Sequence, residues 1–89
     1  MAKYVLLKFK INNNFSDWEK TFYAAQPFAR KAGINSISHS YNVSDNKSIM
    51  VLMTVDNQQS WENFYNENKE LISSSGHILE STQTEYYEN

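Results

Sequence analysis

Residues 34–55 read INSISHSYNVSDNKSIMVLMTV, and this stretch decides the fold. It divides into two strands around Ser44-Asp45-Asn46-Lys47, a cluster of residue types that favour tight turns. The second strand, residues 48–55, is apolar on both parities: Ile49, Val51, Met53 and Val55 on one side, Met50 and Leu52 on the other. Such a strand is covered on both faces, which makes it central in its sheet. The first strand, residues 34–43, alternates Ile37, His39, Tyr41 and Val43 with Ser36, Ser38 and Ser40. A strand so polar on one side suits an edge.

The turn sets the register. If Asp45-Asn46 is a two-residue hairpin loop, Ser44 pairs with Lys47, Tyr41 lies opposite Met50, and His39 opposite Leu52. Opposed residues share a face, so His39 and Tyr41 are expected beside Met50 and Leu52. A slip of one residue would reverse them.

Upstream, residues 3–11 alternate Val5, Leu7, Phe9 and Ile11 with Tyr4, Leu6, Lys8 and Lys10, giving another strand with one unbroken apolar face. The Asn12-Asn13-Asn14 run is a turn signal. Ser16 and Glu19 have the spacing of a capping box, and Trp18, Phe22, Ala25, Ala29 and Ala32 share one helical face up to Gly33. Pro27 inside that helix predicts a kink or break near Gln26. Downstream, Asp56 and Gln59 again have capping-box spacing. Trp61, Phe64, Tyr65, Leu71 and Ile72 give the buried stripe of a second helix that Gly76 stops. Residues 77–87 form a last, polar strand suited to the other edge.

The order β-α-β-β-α-β predicts a single α+β domain over residues 1–89 with the ferredoxin-like arrangement. Its four-stranded antiparallel sheet has strand order 4-1-3-2 and carries both helices on one face. Strands one and three, the two most apolar, then occupy the centre. The other face carries Tyr4, Leu6, Met50, Leu52 and Thr54, joined through the expected register by Ile37, His39 and Tyr41. An apolar patch of that extent calls for cover. The expected cover is a second copy of the chain, in a homodimer packed sheet to sheet.

Composition narrows the function classes. The chain is 40% hydrophobic and 15% aromatic, which suits a folded domain with a modest core. A formal charge of −2 gives none of the basic field that nucleic acid or an anionic membrane requires. Without cysteine there is no disulfide frame and no thiolate nucleophile. The two histidines, His39 and His77, show no metal-ligand spacing, and no metal or cofactor is expected. No signal-peptide or membrane-spanning pattern is visible, so the expected location is the cytoplasm. There is no Gly-rich phosphate loop and no G-x-S-x-G elbow.

The order of elements, the size and the second apolar face resemble the dimeric α/β-barrel superfamily, which includes the antibiotic-biosynthesis-type monooxygenases. Phe15 to Ile34, with Trp18, Phe22 and Gly33-Ile34, together with Ser75-Gly76-His77, is also similar to a small uncharacterised cyanobacterial family of that type. The resemblance implies a fold and a dimer. Members that do chemistry bind substrate between sheet and helices or inside the barrel. Haem-degrading members use a histidine on the second helix, whereas His77 follows the helix stop, so that activity does not carry over. RNA-recognition modules share the topology but need aromatics on strand three, which has none here.

His39 and Tyr41 are the candidate catalytic pair, two apart on one strand and pointing the same way. A histidine can act as general base and a tyrosine hydroxyl can hold an oxyanion; the plainer reading makes both packing groups. The candidate ligand-binding surface is Tyr4, Leu6, Ile37, His39, Tyr41, Met50, Leu52 and Thr54. Two functions follow: a small cytosolic homodimer that binds a hydrophobic ligand or serves as a non-catalytic interaction module, and, as the alternative, a cofactor-free monooxygenase or isomerase for aromatic or hydrophobic molecules.

Overall fold

The computed structural model describes residues 3–89. Its elements are β1 (Lys3–Lys10), α1 (Phe15–Lys31), β2 (Ile34–Asn42), β3 (Asp45–Val55), α2 (Gln58–Glu67), α3 (Lys69–Ser74) and β4 (Gln83–Glu88), with a 3₁₀ turn at Leu79–Ser81 before β4. The strands form one antiparallel sheet in the order β2-β3-β1-β4. This is the ferredoxin-like α+β arrangement, with the two apolar strands central and the polar ones at the edges.

The core lies between the sheet and the helices. Val5, Leu7 and Phe9 of β1 pair with Met53, Val51 and Ile49 of β3. All six are buried, as are Trp18 and Ala29 of α1 and Trp61 of α2. Burying side chains of this size contributes roughly 1.5–3 kcal/mol each.

The helix boundaries depart from the capping boxes read in the sequence. Asn14, not Ser16, caps α1, its side chain accepting from Asp17 N at 2.8 Å. Asn57, not Asp56, caps α2 by accepting from Ser60 N at 2.9 Å. Asparagine serves as well as serine or aspartate at this position. Pro27 does not break α1, which runs uninterrupted from Phe15 to Lys31. It sits on the exposed side beside exposed Tyr23, where water can solvate the carbonyl that loses its donor. The expected second helix is instead two pieces parted at Asn68, whose side-chain amide donates to Phe64 O at 2.8 Å. Asparagine side chains compete with helical backbone bonding in this way. His77 makes only an isolated bridge to Ile11, and the last strand starts at Gln83.

The hairpin register also differs, and with it the face assignment. Asn42 pairs with Asp45, so Val43-Ser44 is the loop, not Asp45-Asn46. Among the described residues no non-glycine residue has positive φ, so the hairpin-favouring type I′ turn does not form and the strands splay. The start of β3 then bonds elsewhere. Lys47 O accepts from Ile11 N at 2.9 Å, and Asp45 pairs with Lys10 Nζ. The β2–β3 ladder resumes only at Tyr41 opposite Ile49, which leaves residues 46–48 of β3 unopposed. An odd number of unopposed residues exchanges the faces. His39 therefore lies opposite Val51, on the helix side, and the expected placement of His39 and Tyr41 beside Met50 and Leu52 is wrong. A second irregularity at Ile37 reverses the parity again, so Ile34 also reaches the core and is 1% exposed.

Two glycines are required by backbone conformation. Gly33 has φ +83° and Gly76 φ +103°. A Cβ at Gly33 would meet the Asp56 carboxylate, which is exposed and can swing aside. A Cβ at Gly76 would meet the Asn13 side chain, which is held by its bond to Ser75 O at 2.9 Å. Gly76→Ala is accordingly expected to destabilise by about 2 kcal/mol or more and Gly33→Ala by about 1 kcal/mol. Urea denaturation of both variants checks the order; equal losses would count against the Asn13 contact.

Candidate functional site

Two clusters of chemically able side chains lie between the helices and the sheet, and the Trp18 ring borders both. The first surrounds His39. Its Nε2 is 2.7 Å from Glu19 Oε2. Tyr23 Oη is 3.2 Å from the same carboxylate oxygen and 3.3 Å from the imidazole nitrogen. Glu19 and Tyr23 are four apart on α1, so both reach the same point of β2. Rings of Phe22, Trp18 and Phe15 flank the imidazole at centroid distances of 4.9, 5.9 and 6.1 Å. Desolvation first, then the charge and hydrogen bond of Glu19, push the Tyr23 hydroxyl above its ordinary pKa.

The expected pairing of His39 with Tyr41 takes a different form. Both face the helices, but Tyr41 packs edge-on against Phe15 at 4.9 Å and is half exposed. The partners of His39 are Glu19 and Tyr23, which sequence reading did not name. Glu19 had been read as a capping residue, and its i, i+4 relation to Tyr23 becomes informative only once His39 is known to face α1.

The second cluster lies in a cavity of about 80 Å³ between the sheet and the three helices. Leu7, Phe9, Val51 and Met53 form its floor, Trp18, Phe22 and Ala25 one wall, and Trp61, Phe64 and Leu71 the other. His77 enters at the end of this apolar space. Its ring stacks flat on Phe9, with centroids 3.7 Å apart and planes 3° from parallel. Its Nε2 is 2.6 Å from Thr82 Oγ1, which Tyr65 Oη approaches at 3.5 Å. His77 is 5% exposed, and burial pushes its pKa down to about 4. It is thus a neutral imidazole at physiological pH, able both to donate and to accept. Sequence reading placed His77 just after the helix stop and gave it no catalytic role, because nothing local announces the Phe9 stack or the Thr82 bond.

The remaining expected ligand-binding residues lie on the opposite face of the sheet. Tyr4 pairs with Thr54 and Leu6 with Leu52, with Met50 beside Lys8 and Ser40. Tyr4, Leu6, Met50, Leu52 and Thr54 are all partly exposed, and Ile37 is 53% exposed at its bulge. This face is separate from His39, Tyr41 and the cavity. Among the described residues, no helix is long and apolar enough to cross a membrane.

The fold defines the class. A protein from Bordetella bronchiseptica, provisionally assigned as an antibiotic biosynthesis monooxygenase, superposes with a TM-score of 0.76 at 10% identity, covering 99% of this chain and 96% of the other. SnoaB, a cofactor-independent oxygenase from Streptomyces nogalater, gives 0.67 at 6% identity, covering 99% and 92%. The ActVA-Orf6 monooxygenase of Streptomyces coelicolor, solved with nanaomycin D, gives 0.59 at 13%, covering 99% and 87%. The chain therefore has the fold of the antibiotic-biosynthesis-monooxygenase-like proteins; at these identities the likeness concerns fold alone. No curated protein sequence matches it. By sequence, the chain belongs to the family described as a domain of unknown function, DUF3764, whose model matches residues 2–89.

The buried neutral His77 makes stability depend on pH in a stated direction. Unfolded, the imidazole takes a proton near its ordinary pKa of about 6.5; folded, it does so only near 4. Between these values the unfolded chain binds the extra proton, so stability falls as pH falls from about 6.5 to 4. The loss attributable to His77 is expected to be roughly 3 kcal/mol. Denaturation from pH 7 to 4 checks this: His77→Phe should show a smaller decline than the parent, and identical declines would remove the assignment.

Proposed function

We propose that this protein is a small cytoplasmic homodimer that binds a hydrophobic small molecule in the cavity between sheet and helices. The observation that carries the reading is the cavity: a partly open apolar cleft between packed elements with a few polar groups in its lining, the ordinary form of a ligand site. The fold neighbours lend support, since one of them is solved with a bound ligand. The dimer is supported by the partly exposed face of Tyr4, Leu6, Met50 and Leu52, apolar at the centre and bordered by Lys8, Ser38, Ser40 and Glu85. A self-complementary patch with a polar rim suits a two-fold contact.

A cofactor-free monooxygenase or isomerase remains the second reading. It is favoured by one observation, a histidine lining an apolar cavity, whose neutral imidazole could hydrogen-bond the hydroxyl of a bound ring compound. Oxygen uptake in the presence of hydroquinone, abolished by His77→Phe, would move the assignment to an oxygenase. Binding without oxygen uptake supports the binding protein.

Binding is tested through the fluorescence of Trp18 and Trp61, which both line the cavity. Benzene and phenol are expected to change it in a saturable way, and Ala25→Phe, which fills the space, is expected to abolish the change while leaving the circular dichroism intact. A response unaltered by Ala25→Phe would place binding elsewhere. Native mass spectrometry is expected to show a dimer that Leu6→Asp/Leu52→Asp converts to monomer. A parent that is monomeric at tens of micromolar would end the dimer proposal.

A further inference from the structure

We propose that the cavity selects a neutral single-ring compound bearing one hydroxyl, with His77 as the group that reads the hydroxyl. This rests on the ligand-binding reading above and goes beyond it by naming the ligand chemistry.

Three observations converge. The first is charge: the cavity lining contains no acidic or basic side chain besides His77, only Thr21, Gln26, Ser75 and His77 as polar groups. An ionised ligand would lose its hydration there and find no counter-ion, so anions and cations are selected against. The neutrality of His77 belongs to the same picture, since an imidazole held uncharged by burial offers no cation to a carboxylate.

The second is hydrogen-bonding capacity. Ser75 Oγ already donates to Ile72 O, and Gln26 Nε2 donates to Phe22 O at 3.0 Å. His77 is engaged through Nε2 alone, and the Phe9 stack fixes the plane of its ring. With Nε2 committed to Thr82 and the ring plane fixed, we assign the ligand hydroxyl to Nδ1. A hydroxyl can donate or accept, so it satisfies Nδ1 in either tautomer. Tyr65 behind Thr82 extends the chain, so the tautomer can adjust to the ligand without charge appearing in the cavity.

The third is size. A volume of about 80 Å³ is smaller than the roughly 150 Å³ of a dry engineered cavity that accepts benzene. The cavity is open to solvent on one side and its lining residue Leu71 is 40% exposed, so a single ring enters part of the way. Fused rings meet the walls formed by Trp18, Phe22 and Trp61.

The experiment compares benzene, phenol and benzoate, three probes of one skeleton, by tryptophan fluorescence and by the shift in melting temperature at pH 7.5. Phenol is expected to bind about tenfold tighter than benzene, and benzoate to give no saturable signal. In His77→Phe, benzene binding is expected to persist and the advantage of phenol to disappear. Equal binding of benzene and phenol by the parent overturns the assignment to His77 while leaving the cavity reading in place. So does tighter binding of benzoate, or a phenol preference that survives in His77→Phe. If none of the three gives a signal that Ala25→Phe removes, the ligand-binding reading itself falls. The parent series alone decides the benzene and benzoate outcomes, and His77→Leu takes the place of His77→Phe if that variant does not fold.

Discussion

The antiparallel ladder between β1 and β3 is the constraint on which the other elements depend. Val5 against Met53, Leu7 against Val51 and Phe9 against Ile49 form a continuous apolar floor. The helices α1 and α2 each contribute a tryptophan that closes over it, Trp18 and Trp61. The edge strands add little to this core. From β4, only Tyr86 packs against it, and β2 contributes Ile34. Truncating one of the central pairs would open a void in that floor, and large-to-small changes at such sites cost about 2–5 kcal/mol.

The hairpin after β2 shows how a local turn redirects chemistry. A type I′ turn would keep the two strands in register, but it needs positive φ at both central positions, which Val43 and Ser44 do not adopt. The chain instead gives residues 46–48 over to contacts with the end of β1 and resumes pairing with its faces exchanged. His39 is thereby carried from an open sheet face to a place beneath α1, where Glu19 waits at 2.7 Å. The bulge at Ile37 then compensates, so the same strand supplies both the buried Ile34 and the histidine.

The two histidines differ because their neighbours do. His39 has a carboxylate and a phenol within hydrogen-bond reach. His77 has a flat apolar ring beneath it and one neutral hydroxyl beside it, so no counter-charge offsets the cost of charging it there. The first ties a helix to an edge strand; the second gives an apolar cavity its polar end. Sequence reading weighted His39 and passed over His77, because strand alternation is visible in a sequence and a stack between Phe9 and His77, 68 positions apart, is not.

What the sequence determined by itself is the architecture. The two-sided apolar character of residues 49–55, the one-sided alternation from Val5 to Ile11 and the helical spacing of Trp18, Phe22, Ala25 and Ala29 leave few arrangements that bury them all. Strand order and the polar edges follow from the same residues. Tertiary structure alone decided the face of His39, the passage of α1 through Pro27, the break at Asn68 and the meeting of His77 with the cavity. Hydrophobic periodicity is a property of each segment, and burial enforces it over many residues at once. Register and side-chain juxtaposition depend on where individual backbone groups find partners, and a single irregularity, such as the three unopposed residues after Asp45, resets them.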